Sequence, residues 1–126
     1  MWTEARPGLP AALAALALLA AAAPAATEGG WTRLTTPEIA DALVARTIAF
    51  DNGATQEFRA DGTTTYDSGS GPSAGKWRAS DDEYCSIWPP SEDWVCFDVE
   101  RSADGLDLRF TSTGGGFSVG RYIDLR

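Results

Sequence analysis

Between residues 106 and 110 the chain reads Leu-Asp-Leu-Arg-Phe, and this alternation with a period of two returns along most of its length. Side chains that alternate in this way lie on opposite faces of a β-strand. Leu106, Leu108 and Phe110 therefore share one face, with Asp107 and Arg109 on the other. Trp77 and Ala79 oppose Lys76 and Arg78 in the same manner. Turn-forming clusters interrupt the alternation at short intervals: Asp51-Asn52-Gly53, Ala60-Asp61-Gly62, Ser68 to Gly75, Asp81-Asp82, Pro89 to Asp93, Ala103-Asp104-Gly105 and Thr113 to Gly116. Between them lie strand-like runs near 47–50, 55–59, 63–67, 75–80, 83–88, 94–101, 106–112 and 117–125. Short strands joined by tight turns predict an all-β domain, an antiparallel meander of about eight short strands forming a small barrel or a sandwich.

One segment departs from the period of two. Thr36-Pro37-Glu38 reads as a helix start, with Thr36 as the cap and Pro37 at the first helical position. A short N-terminal helix to about Ala45 then places Ile39, Ala42 and Leu43 on one apolar face. The last strand poses a different problem. If Phe117, Val119, Ile123 and Leu125 face inward, strict alternation brings Arg121 in with them, where an unpaired guanidinium costs several kcal/mol. Three accommodations are open: a bulge at Gly120 that flips the register, stacking of Arg121 over an aromatic ring such as Trp77, or a ligand-binding arginine in a barrel mouth.

Both cysteines fall in Asp81 to Val99, on either side of a Pro89-Pro90 break. Tyr84 to Trp88 and Trp94 to Val99 have strand character, and the turn formers between them make a hairpin. Setting Cys85 opposite Cys96 puts Ile87 opposite Trp94 on the same face. Tyr84, Ser86, Trp88, Val95, Phe97 and Val99 take the other face. A disulfide across this register would stabilise the hairpin by roughly 2.5 to 3 kcal/mol through loop closure. The face carrying Ile87 and Trp94 is either covered by the segment from Trp31 to Ala45 or left as an apolar patch that marks a partner site. In the latter case Pro89 and Pro90 stand beside it in a rigid acidic loop.

Catalytic and metal chemistry find little support. The chain has no histidine, which removes Ser-His-Asp and Cys-His constellations, and a disulfide leaves no thiol nucleophile. Zinc lacks a four-ligand set. Asp81, Asp82 and Glu83 form an acidic turn without the spacing of a calcium loop. The expectation is a protein that is not an enzyme and holds no cofactor or metal.

Residues 1–26 run from a polar start with Arg6 through AALAALALLAAAA to the small residues around Ala23-Pro24-Ala25. This is the layout of a secretory signal peptide cleaved after Ala25 or Ala26, which leaves a single β-rich domain over 27–126 and no stable membrane anchor. Export fits the two cysteines, because disulfides persist in the periplasm or outside the cell. Eighteen acidic and ten basic residues give a net charge of -8, and losing Arg6 with Glu4 leaves it unchanged. Such a surface repels nucleic acid and anionic membranes. An unknown protein or a small ligand remains as partner.

Two resemblances add to this. The succession DGTTTY, GKW, YCSIWPP, WVCF and LRF from Asp61 to Phe110 resembles a group of small exported bacterial β-rich proteins of unknown function, which implies a compartment and a fold but no reaction. Gly75-Lys76-Trp77 resembles the Gly-x-Trp of lipocalin-type barrels, in which a late-strand arginine covers the tryptophan. That likeness implies a ligand cavity involving Trp77 and Arg121, although the lipocalin motif lies on the first strand and here about three strands precede it. A looser similarity links the architecture to exported barrel inhibitors of lysozymes or proteases. The leading expectation is a disulfide-stapled, non-enzymatic binding or interaction module of the cell envelope. The alternatives are a periplasmic inhibitor of a basic hydrolase and, behind it, a carrier of a small apolar ligand.

Overall fold

A computed structural model describes residues 27–124; the apolar leader of residues 1–26, and with it the expected signal peptide, lies outside the described residues. Ten strands and one helix follow in order: β1 (Thr27–Glu28), β2 (Trp31–Arg33), α1 (Thr36–Leu43), β3 (Arg46–Phe50), β4 (Thr55–Phe58), β5 (Thr63–Asp67), β6 (Pro72–Ser80), β7 (Glu83–Ile87), β8 (Val95–Arg101), β9 (Asp107–Ser112) and β10 (Phe117–Tyr122). From β3 to β10 each strand pairs antiparallel with its neighbour in sequence, and β10 returns to β3 through Gly120 opposite Phe50 and Tyr122 opposite Ile48. The sheet therefore closes as an eight-stranded up-and-down barrel, which leaves none of these strands as an open edge. β2 extends the structure by pairing with Glu100 and Arg101 of β8.

The helix stoppers one end of the barrel. Ile39, Ala42 and Leu43 of α1 are buried together with Leu34, Ile48, Phe58, Trp77, Val99 and Leu108. The cap is Thr35, one residue earlier than expected, and the Glu38 carboxylate accepts from both its N–H (2.8 Å) and its hydroxyl (2.9 Å). Those two donors hold Glu38 below the usual carboxylate range. At the other end of the helix, the Tyr122 hydroxyl donates to the Ala42 carbonyl at 2.7 Å. The Arg46 guanidinium lies 4.0 Å over the Tyr122 ring and pairs with Asp124 at 2.9 Å.

The Asp81-Asp82 turn between β6 and β7 is part of this clamp. Both residues have left-handed backbones, φ 54° and 58°, which a two-residue hairpin of this hand demands and which aspartate tolerates better than most side chains. Asp82 Oδ1 accepts from the Thr36 N–H at 2.8 Å, and the Asp82 N–H donates to the Thr36 hydroxyl at 2.7 Å. The acidic turn thus holds the first turn of α1 against the barrel end.

The last strand corrects the expected phase. Its inward residues are Ser118, which lines the mouth, Gly120 and Tyr122, while Phe117 and Ile123 are exposed and Leu125 lies outside the described residues. The pairing of β10 with β9 is continuous from Phe117 to Arg121, so Gly120 makes no bulge. Arg121 points outward and pairs with Asp107 at 2.7 Å. It does not stack on Trp77.

Candidate functional site

The end of the barrel away from α1 is not filled by side chains. Here β3, β5, β7 and β9 end and β4, β6, β8 and β10 begin, and between these strand ends lies a cavity of about 400 Å³. Its walls are Phe50, Tyr66, Tyr84, Trp88, Phe97 and Phe110, with Asn52, Gln56, Ser73, Ser86 and Ser118 among them. The rings form a continuous series from the stoppered end to the rim. Trp77 meets Phe58 edge-on (5.7 Å), Phe58 meets Tyr84 (5.8 Å), Tyr84 meets Phe110 (5.4 Å), Phe110 meets Phe50 (5.7 Å), Phe50 meets Tyr66 (6.2 Å) and Tyr66 meets Trp88 (6.1 Å). Each ring fixes the next, so the cavity walls are set by packing rather than by loops.

A short polar network crosses the inner wall. The Thr64 hydroxyl donates to the Glu57 carbonyl at 2.6 Å, so its oxygen is left to accept, and Gln56 Nε2 donates to it at 2.9 Å. This fixes which way the Gln56 amide points. Its second N–H donates to the Tyr84 hydroxyl at 3.0 Å. Ser86 Oγ accepts from the Trp88 indole N–H at 3.1 Å. Burial drives the Tyr84 phenol up from its ordinary pKa, although Ser86 and Gln56 pull the other way, so at neutral pH the cavity wall carries no charge. Gln56, Thr64 and Ser86 are all buried. An interior of aromatic surface with a few fixed neutral polar groups is the usual make-up of a small-molecule site.

The residues singled out in the sequence fall into three places. Cys85 and Cys96 pair as expected, with their Cα atoms 4.0 Å apart and a disulfide between them. A formed disulfide belongs to an oxidising environment, and no helix among the described residues is long and apolar enough to cross a membrane. Glu83 lies near the two sulfurs, but sulfurs bonded to each other offer no thiolate to a metal.

Ile87, Pro89, Pro90 and Trp94 lie around the β7–β8 loop beside the cavity rim. Trp94 remains exposed, with the Arg78 guanidinium 4.1 Å from its ring as its cation-π partner. The lead-in Trp31 lies instead under Arg109 of β9, at 4.7 Å. Trp77 and Arg121 are corrected: neither lines the mouth. Trp77 is buried toward the stoppered end, where its indole N–H donates to the Arg59 carbonyl at 2.9 Å, and Arg121 is on the outer wall. The lipocalin-like pairing of the two is therefore not formed.

The residues that do line the cavity were not among the expected contacts, although the sequence places Tyr84, Ser86, Trp88 and Phe97 on one common face and Phe110 on another. Their signal was nonetheless in the alternation: Gln56 shares a phase with Phe58, and Ser86 shares one with Tyr84, so polar side chains stood on an inward face. Comparison with models of known protein families, with curated proteins and with solved structures finds no match.

Proposed function

We propose that this protein is an exported, disulfide-stapled binding module of the cell envelope without catalytic activity, and that it holds a small, mainly apolar ligand in the barrel mouth. The observation that carries the reading is the cavity, because an open recess of about 400 Å³ walled by packed aromatic rings with a few fixed neutral polar groups has the make-up of a small-molecule site. The non-enzymatic reading is supported by the chemistry of the chain: it has no histidine, and its two cysteines are bonded to each other. Export is supported by the disulfide and by the leader sequence of residues 1–26. An inhibitor of a basic hydrolase would use the loops around the mouth, but it would have no need of the recess between them.

The test is native mass spectrometry of the protein purified gently from its own host, alongside titration with the uncharged probe N-phenyl-1-naphthylamine. A bound small molecule, or saturable probe fluorescence, that is lost when Ser118→Phe fills the mouth supports the reading. A bare oxidised chain that also fails to take up the probe would falsify it.

A further inference from the structure

The loops that frame the mouth carry charge of one sign only. Asp51 adjoins the wall residue Asn52, Asp67 adjoins Tyr66, and Glu92 and Asp93 sit in the loop that leaves Trp88. No lysine or arginine lies in residues 51–54, 67–72, 88–94 or 113–116. The five ion pairs among the described residues all use other carboxylates: Asp98, Asp124, Glu57, Glu100 and Asp107. Asp67 follows the inward Tyr66 in β5 and accepts from the Gly69 N–H at 2.8 Å, so it acts from the outer side of the rim. One cation, Arg78 over the Trp94 ring, stands against these loops, and the rim keeps a net negative charge toward whatever enters.

A second observation lies deeper. Gln56 is 5% exposed and lines the cavity. Both of its N–H groups are engaged, by Thr64 and Tyr84. No described residue donates to its amide oxygen. A buried acceptor of this kind calls for a donor, because leaving it unmatched costs free energy.

Resting on the carrier reading, we propose that the ligand is a small organic ammonium ion with an aromatic or alkyl body. Its uncharged donor end meets the Gln56 amide oxygen, and its ammonium stays at the acidic rim. The charge belongs at the rim because the cavity wall offers no carboxylate, and an unpaired ion taken inside would lose its hydration without replacement. The body fits the available space, since about 400 Å³ equals the volume of roughly thirteen water molecules and admits on the order of a dozen non-hydrogen atoms.

Four probes of nearly equal size separate these elements in calorimetric titration of the oxidised protein: tyramine, its uncharged analogue tyrosol, the anion 4-hydroxyphenylacetate, and 2-phenylethylamine, which lacks the phenol. Taken as a net of about three negative charges acting through water from on the order of 10 Å, the rim favours the cation over the neutral analogue about fivefold to tenfold at low salt, and disfavours the anion by a similar factor. Loss of the phenol donor weakens binding by about threefold to tenfold. Added salt, or the combined replacement Asp51→Asn, Asp67→Asn, Glu92→Gln and Asp93→Asn, should bring tyramine down to the level of tyrosol and leave tyrosol unchanged. If N-phenyl-1-naphthylamine binds in the mouth while tyramine binds no better than tyrosol, the charge selection is overturned and the carrier reading stands. If neither that probe nor any member of the series binds, both readings fall.

Discussion

Gly120 has no side chain because there is no room for one. A Cβ at this position would collide with Cγ2 of Ile48 and lie 3.2 Å from two ring atoms of Phe50. The contact sits where β10 closes on β3, with Gly120 directly opposite Phe50, so neither strand can move away without opening the barrel. Gly120→Ala is therefore expected to destabilise by about 1 to 3 kcal/mol, measured as a lower urea midpoint at unchanged slope. An unchanged midpoint would mean that the closure yields more readily than the packing indicates. Gly75 is placed in the same way, since a Cβ would lie 2.6 Å from Trp88 Cε3 and 2.7 Å from the Ile87 carbonyl. There the neighbour is a wall of the cavity, and glycine lets Trp88 lie flat against β6. Gly120 also explains why the last strand misleads a reader of the sequence. Hydrophobicity selects Phe117, Val119 and Ile123 as the inward set. The fold instead turns Ser118 to the wet mouth and Gly120 to the tightest contact, and Phe117 finds Arg109 outside, 5.8 Å from its ring.

At the scale of elements, the strands were legible because turn residues punctuate them. Eight barrel strands were expected and eight form, with β6 starting at Pro72, inside the stretch read as a turn, and β10 stopping at Tyr122, short of the expected end; the register of Cys85 with Cys96 follows from the hairpin. What alternation could not supply is the long-range docking of α1, because the residue that fixes it lies 46 positions away. Asp82 read as part of a solvated acidic turn, whereas it accepts from the Thr36 N–H and hydroxyl at the start of the helix. Arg33 reaches the same turn, donating to the Asp82 carbonyl at 2.9 Å while pairing with Asp98 at 2.8 Å. The acceptor serves an otherwise unsatisfied N–H of the helix start and favours the positive end of the helix dipole. Asp82→Ala is expected to cost about 1 to 2 kcal/mol. Amide hydrogen exchange should quicken first in α1 and the β6–β7 turn and leave the β3–β10 closure protected. Uniform quickening across the barrel would show instead that the helix and barrel open as one unit.

The whole molecule has a dry end and a wet end. At the stoppered end Ile48, Phe58, Val99 and Leu108 are at most 1% exposed beneath the helix, and this is where burial of apolar surface is concentrated. At the mouth the inward positions go to Ser73, Ser86, Ser118 and Gln56 among rings that remain partly open to solvent. Period-two alternation tells which face of a strand turns inward, but not whether the enclosed space is filled, so the cavity was legible only as polar residues in the wrong phase. The division assigns stability and binding to different ends. Phe58→Ala removes a ring packed against both Trp77 and Tyr84 and is expected to cost about 3 to 5 kcal/mol. Trp88→Ala removes a half-buried ring from the rim, at an expected cost below about 2 kcal/mol, yet it takes away a cavity wall and should abolish uptake of the uncharged probe. Urea midpoints and probe titration of the two variants check this together. If Trp88→Ala unfolded the domain as readily as Phe58→Ala, the mouth rings would belong to the core, and the recess they bound would be a packing defect rather than a site.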